Sequence, residues 1–175
     1  MAARRPAKKA PSGKAQPSLM EVALNKLDHQ DRSKKQLKDL LTRKAAEGGT
    51  DQTEVAEVLS RLESSGVIND QRFAEHYARS ARARGASSAK VQQKLGQKGI
   101  DRGGAERALA TVADEGQGEL AAAKRYAERR RLAQRYDLAD PKERQKALAS
   151  LARQGFSFET ALAVLGRHSD EGEGD

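Results

Sequence analysis

"GVINDQRFAEHYARSARARG", residues 66–85, holds a glycine at each end, two of the chain's six aromatic residues and four arginines. Read at helical spacing, Phe73, Ala74, Tyr77, Ala78 and Ala81 form one continuous apolar stripe. Arg72, Glu75, Arg79 and Arg82 form the opposite, water-facing stripe. Gly66 suits the left-handed turn that ends a preceding helix. Val67 and Ile68 tuck the connection inward, and Asn69 or Asp70 caps the next helix by accepting a bond from its free N–H groups. Gly85 stops that helix. The stretch therefore reads as one amphipathic helix with its aromatics in a core and its arginines exposed.

The same punctuation recurs along the chain. Ser18 with Glu21, Ser33 with Gln36 and Asp51 with Glu54 have the spacing of capping boxes. Asp140-Pro141 with Glu143 adds a proline at a first helical position, where its missing N–H costs nothing. Val55, Val58, Leu59 and Leu62 share a face, as do Ala105, Ala108, Leu109, Val112 and Ala113. No stretch alternates as a half-buried strand does, so about nine helices and no sheet are expected.

Two segments match at fixed offsets: "LGQKGIDRGGAERAL", Leu95 to Leu109, and "LARQGFSFETALAVL", Leu151 to Leu165. In each, a glycine follows the first leucine by four, Ile100 or Phe156 comes next, and a leucine closes ten after the glycine. A looser copy, Leu41 to Leu59, has four extra residues in its turn. Each copy reads as helix, glycine-bearing turn, helix, with another helix in front. Such a unit cannot bury its faces without its neighbours. The expected fold is all-α: three tandem three-helix repeats forming an elongated, curved array. The expected division is a disordered basic arm at 1–17, repeats at 18–65, 66–118 and 119–168, and a disordered acidic tail at 169–175.

Composition agrees. Aromatics are 3% of the chain and tryptophan is absent, so apolar burial must come from thin layers of Ala and Leu. Cysteine is absent, which removes disulfides, thiolate metal sites and cysteine nucleophiles, and fits the cytoplasm. No apolar window approaches the roughly 18 residues of a membrane span. The basic N-terminus has no apolar run behind it and does not read as a secretory signal.

The net charge is +8, unevenly spread. Residues 1–17 hold five basic residues and no acid, residues 18–65 sum to −1, and the two later segments are positive. Basic residues gather in stripes: Arg72, Arg79, Arg82 and Arg84; Lys90, Lys94 and Lys98 at i, i+4, i+8; then Lys124, Arg125 and Arg129, Arg130, Arg131. Three successive arginines span about 200° of a helix, so one must lie along the apolar side near Tyr126 and Ala133. These stripes are the candidate partner-binding residues, toward an anionic surface.

The residues point away from an enzyme. The histidines His29, His76 and His168 are far apart in sequence, and no HExxH, P-loop, GxSxG or CxxC motif occurs. No cofactor or metal is expected. A helix-turn-helix DNA reader fits the outline of each repeat, but its second helix must bring basic or polar groups to bases. Residues 104–114 offer Glu106, Arg107, Thr111 and Asp114, and residues 158–167 offer Glu159, Thr160 and a late Arg167. The basic charge lies on other helices, which suits phosphate or acidic-protein contact better than base readout.

The chain resembles the RecX regulatory proteins of bacteria. The resemblance is densest at "GVINDQRFAEHYARSARARG", continues through "KVQQKLGQKGI" and ends in "LARQGFSFETALAVL"; "ALNKLDHQDRSKKQLKDLL" matches more weakly. It spans about Leu19 to Leu165, leaving out the arm and the tail. It implies three tandem three-helix repeats and a non-catalytic role in DNA repair, homologous recombination and the SOS response. RecX proteins bind the RecA recombinase, lie in the groove of its filament on DNA, and restrain assembly, ATP hydrolysis, strand exchange and coprotease activity. The partner implied is the RecA filament, met by a monomer, with weak binding to single- or double-stranded DNA and no membrane contact.

Overall fold

The computed structural model describes residues 17–49 and 51–166. The expected basic arm and acidic tail fall almost entirely outside the described residues, as do His168 and Arg167. Among the described residues there is no strand. Ten α-helices run in order: α1 Leu19–His29, α2 Lys34–Gly48, α3 Gln52–Ser64, α4 Asp70–Ala83, α5 Ser88–Gln97, α6 Arg102–Val112, α7 Glu119–Arg129, α8 Leu132–Arg135, α9 Pro141–Arg153 and α10 Phe158–Leu165. A π-helical turn, Ala113–Gln117, joins α6 to α7. The tenth helix, beyond the nine expected, is the single turn of α8.

The caps hold these boundaries. Ser18 and Ser33 close reciprocal boxes with Glu21 and Gln36. Asp51 instead accepts from the Thr53 amide at 3.1 Å. Between the two expected caps of α4, Asn69 takes the role by accepting from the Arg72 amide at 2.9 Å. Ile68 is buried in the connection, but Val67 stays exposed, so only one of the expected pair turns inward.

Burial falls into three clusters, each from a contiguous stretch. The first joins α1–α3 through Leu37, Leu41, Val55, Leu59 and Leu62, and Ile68 completes it. The second joins α4–α6 through Phe73, Ala78, Val91, Leu95, Ile100 and Val112. The third joins α7–α10 through Ala122, Leu132, Leu151, Phe156 and Ala161. The sequence repeat is visible in the turns. Gly99 (φ +88°) and Gly155 (φ +91°) end α5 and α9 in the left-handed region. The next amide reaches back in each case, Ile100 to the Leu95 carbonyl at 3.0 Å and Phe156 to that of Leu151 at 3.2 Å.

Adjacent units meet at a joint built twice from the same parts. Buried Ser33 caps α2 by accepting from the Gln36 amide, and its hydroxyl proton goes to the Lys98 carbonyl at the end of α5, at 2.5 Å. Ser87 caps α5 in the same way and donates to the Gln154 carbonyl at the end of α9, at 2.7 Å. Beside each serine, the first amide of the same helix finds a carboxylate at the head of the next unit. Lys34 N–H donates to Asp70 at 2.7 Å, and Ser88 N–H to Glu119 at 3.0 Å. The glycine of the incoming turn lies flush against this end: a Cβ on Gly155 would come 2.8 Å from Ser87 Oγ, and one on Gly99 would collide with Lys35.

The joints place α9, α5 and α2 end to end, each C-terminus on the next N-terminus. These helices have 13, 10 and 15 residues, a contour of roughly 57 Å at 1.5 Å per residue. On α9 the capping position holds Asp140, and Pro141 follows it.

Two measurements check this architecture. Small-angle scattering should give a radius of gyration above the roughly 16 Å of a compact globule of this length. In urea denaturation, Ser87→Ala should cost about 1–3 kcal/mol through loss of cap and joint together. Gly155→Ala should cost more than Gly66→Ala. Both have positive φ, worth about 1–2 kcal/mol of strain, but a Cβ on Gly66 meets nothing within 4 Å.

Candidate functional site

The twelve basic residues that the sequence marks out occupy α4, α5, α7 and the break after α7, and the structure divides them. Two are spent on ion pairs within the molecule. Arg82, expected on the water-facing stripe, is 2% exposed. Its guanidinium pairs with Glu119 at 2.7 Å and donates to Ser88 Oγ at 2.6 Å and to the Ala86 carbonyl at 3.2 Å. The reason is the joint: the head of α7 lands on that side of α4, so a position exposed in an isolated unit is covered in the array. Arg79 is half-buried and grips Glu115 with two bonds, at 2.7 and 2.6 Å. Those bonds hold the Glu115 carboxyl below its ordinary pKa and raise that of Arg79.

The other ten have no acidic side chain within 4.0 Å among the described residues. Arg72 donates to the Val67 carbonyl and Arg84 to Ser80 Oγ. Lys90 donates to Gln154 and Lys94 to Gln97. The Lys98 ammonium stands 5.9 Å from the Phe73 ring centre and 5.5 Å from that of Tyr77. Neutral partners such as these orient a cation without cancelling it. The stripe on α5 runs from joint to joint, with Lys90 against the third unit and Lys98 at the first. Phe73 is buried and Tyr77 half-buried, so the α4 aromatics are core, as their spacing predicts.

A second group gathers where the ends of α4 and α7 cross. Gly85 approaches the Tyr126 backbone so closely that a Cβ would come 2.7 Å from its nitrogen. Arg129 donates to the Arg84 carbonyl across this crossing. Cations here lie at two helix C-termini, where the backbone favours positive charge. The arginine run is not one continuous helix. α7 stops at Arg129, Arg130 is its cap, and Arg131 takes a left-handed φ of 52°. Arg130 lies over the Tyr126 ring at 5.9 Å, the contact expected of one of the three. Lys124 is exposed, whereas Arg125 is half-buried with Nη1 enclosed and unpartnered.

The sequence reading passed over Phe158, which is 67% exposed at the start of α10. Aligning the repeats finds it: the equivalent first residues of α3 and α6 are Gln52 and Arg102. Among the described residues, no group of three or more His, Cys, Asp or Glu side chains is placed to hold a metal, and no helix is long and apolar enough to cross a membrane.

Known proteins resemble the chain in sequence and in fold. Residues 69–109 match the model of the second three-helix domain of RecX, and residues 117–165 that of the third. The chain is 34% identical to the regulatory protein RecX of Leuconostoc citreum (strain KM20) over 148 residues, 83% of this chain. It spans only about half of that relative, 53%. Against the regulatory protein RecX of Myxococcus xanthus (strain DK1622) it is 33% identical over 165 residues, 87% of each chain. The crystal structure of RecX from Lactobacillus salivarius is similar with a TM-score of 0.71 at 28% identity, over 84% of this chain and 92% of that one.

The division of charges makes a stability prediction. Arg82→Ala should cost about 2–4 kcal/mol in denaturant titration, because it leaves Glu119 and Ser88 facing a vacated, water-poor joint. Arg79→Ala should cost much less, since its pair is solvated. The Arg79–Glu115 contribution should be present at neutral pH. It should fade as acid takes the solution through the lowered Glu115 pKa, because protonation removes the carboxylate that the folded state favours.

Proposed function

The chain belongs to the RecX family of regulatory proteins, and from that premise we propose that it binds the RecA filament on DNA and restrains it. The observation that carries this reading is the set of ten basic residues without an acidic partner on α4, α5, α7 and their ends, three of them along the helix that links the two joints. Restraint is physical rather than catalytic. A long positive surface spans neighbouring protomers, or protein and nearby phosphates, and opposes the motions of filament growth and ATP turnover. The successive units, 18–65, 66–118 and 119–168, act as contact modules at fixed spacing. The protein works in the cytoplasm as a monomer, in recombination, DNA repair and the SOS response.

Exposed cations contribute modestly one by one and act together. A surface that meets phosphate also releases counterions, so its affinity falls steeply with salt. The same ten charges suit a sequence-independent nucleic-acid binder that meets RecA only through shared DNA, and one mutant series separates the two.

Lys90/Lys94/Lys98→Gln, Arg129/Arg130/Arg131→Gln and Arg72/Arg84→Gln should each leave the circular dichroism spectrum unchanged. Each should weaken suppression of RecA's ATP hydrolysis in proportion to the charges removed, and raised salt should mimic them. Affinity for bare single-stranded DNA is measured on the same variants. A filament ligand loses suppression in some variants while keeping its DNA affinity, and it binds RecA without DNA. If the two activities fall together in every variant, and excess DNA abolishes suppression, the nucleic-acid binder replaces the filament ligand.

A further inference from the structure

The last helix of each unit opens at an equivalent position, directly after its capping residue: Gln52 after Asp51, Arg102 after Asp101, Phe158 after Ser157. Gln52 and Arg102 are exposed, so the repeat makes no packing demand on this place. Phe158 is nevertheless aromatic, and at 67% it is the most exposed large hydrophobic among the described residues. The other two phenylalanines are buried and the three tyrosines half-buried. The array thus keeps one aromatic ring in water at a site where its own repeats use polar side chains.

The turn that leads into it is met by basic residues. Phe158 follows the turn that closes the second joint. Lys90 donates to Gln154 of this turn at 2.5 Å, and Gly155 lies close to Ala89. Lys94 is one helical turn beyond Lys90, about 6 Å away. Arg153 ends α9 just before the turn. Among the described residues, Lys90, Lys94 and Arg153 have no acidic side chain within 4.0 Å. Glu159, next to the ring in sequence, is the one acid in the first turn of α10.

We propose that Phe158 is a stacking platform for an unpaired base of single-stranded nucleic acid, with Lys90, Lys94 and Arg153 on the flanking phosphates. A free aromatic face beside a track of cations is the pairing that single-strand binding uses, and it is tolerant of sequence because every base has a π-face. A duplex hides its base faces, so the ring adds affinity for single strands alone. An acidic protein surface would answer the cations but leave the flat ring unmatched. The contact is with the bare strand and does not depend on the filament reading above.

The chain has no tryptophan, so Phe158→Trp places a sole reporter at the site. The assay is anisotropy of labelled oligothymidine and of a duplex of equal length, against Phe158→Ala, →Leu, →Tyr and →Trp. Phe158→Ala should weaken single-strand binding about fivefold or more and leave duplex binding within about twofold, since that rests on phosphates. Tyr and Trp should retain the affinity, Leu should lose it as Ala does, and the Trp emission should change on saturation with oligothymidine. The proposal is overturned by unchanged single-strand affinity in Phe158→Ala, by equal losses on both substrates, by full affinity in Phe158→Leu, or by a Trp emission indifferent to the strand. Loss of RecA suppression with single-strand affinity intact overturns it too, and assigns the ring to a protein contact.

Discussion

One hydroxyl group, used twice, sets the architecture. Ser33 and Ser87 each accept from an amide of their own helix and donate to the last carbonyl of a helix in the next unit. A capping serine ordinarily has a proton to spare for water. Here that proton satisfies a part-buried carbonyl, and the positive end of one helix meets the negative end of another. The incoming backbone comes this close because it is glycine: a Cβ on Gly155 would crowd Ser87, and one on Gly99 would crowd Lys35 beside Ser33. Exchange of either partner opens a polar gap in a place with few contacts to spare.

Much of this was legible in the sequence, because the determinants are local. The caps Ser18, Ser33 and Asp140, the left-handed glycines at 66 and 85 and the apolar stripe Phe73–Ala81 each act within one or two helical turns. Leu41, Leu95 and Leu151 repeat because each unit solves the same packing problem. Arg82 was misplaced for the opposite reason. Its helix periodicity is correct, but its environment is set by Glu119, thirty-seven positions on, and no local pattern reports that. The arginine run failed similarly: the left-handed Arg131 breaks a segment that composition reads as one helix. Phe158 was hidden by its neighbour Phe156, which shares its residue type and is buried.

The charged side chains follow a division of labour that composition cannot express. Glu115 and Glu119 lie at the link between the second and third units, and each takes up an arginine of α4. Of the remaining basic residues of α4, α5, α7 and their ends, seven are oriented by carbonyls, amides, hydroxyls or rings, which leave their charge intact. Internal ion pairs thus fix how two units meet, and neutral partners keep the outer cations presented. Salt should therefore act far more strongly on these outer cations than on the fold, because the buried Arg82 pair is screened much less than exposed charge.

The third unit offers its neighbour-accepting end differently. At the head of α9, Asp140 stands where Ser33 and Ser87 stand on α2 and α5, and Pro141 where Lys34 and Ser88 donate their amides. An ionised carboxylate has no proton to give, and proline has no N–H. A helix C-terminus brought to this face would meet carbonyl against carboxylate, with neither bond of the joint available. In the language of polymers, the first two units carry reactive ends and the third carries an end group. The pair Asp140-Pro141 is a chain stopper for this kind of joint, since it supplies neither of the two donors that Ser33–Lys34 and Ser87–Ser88 provide.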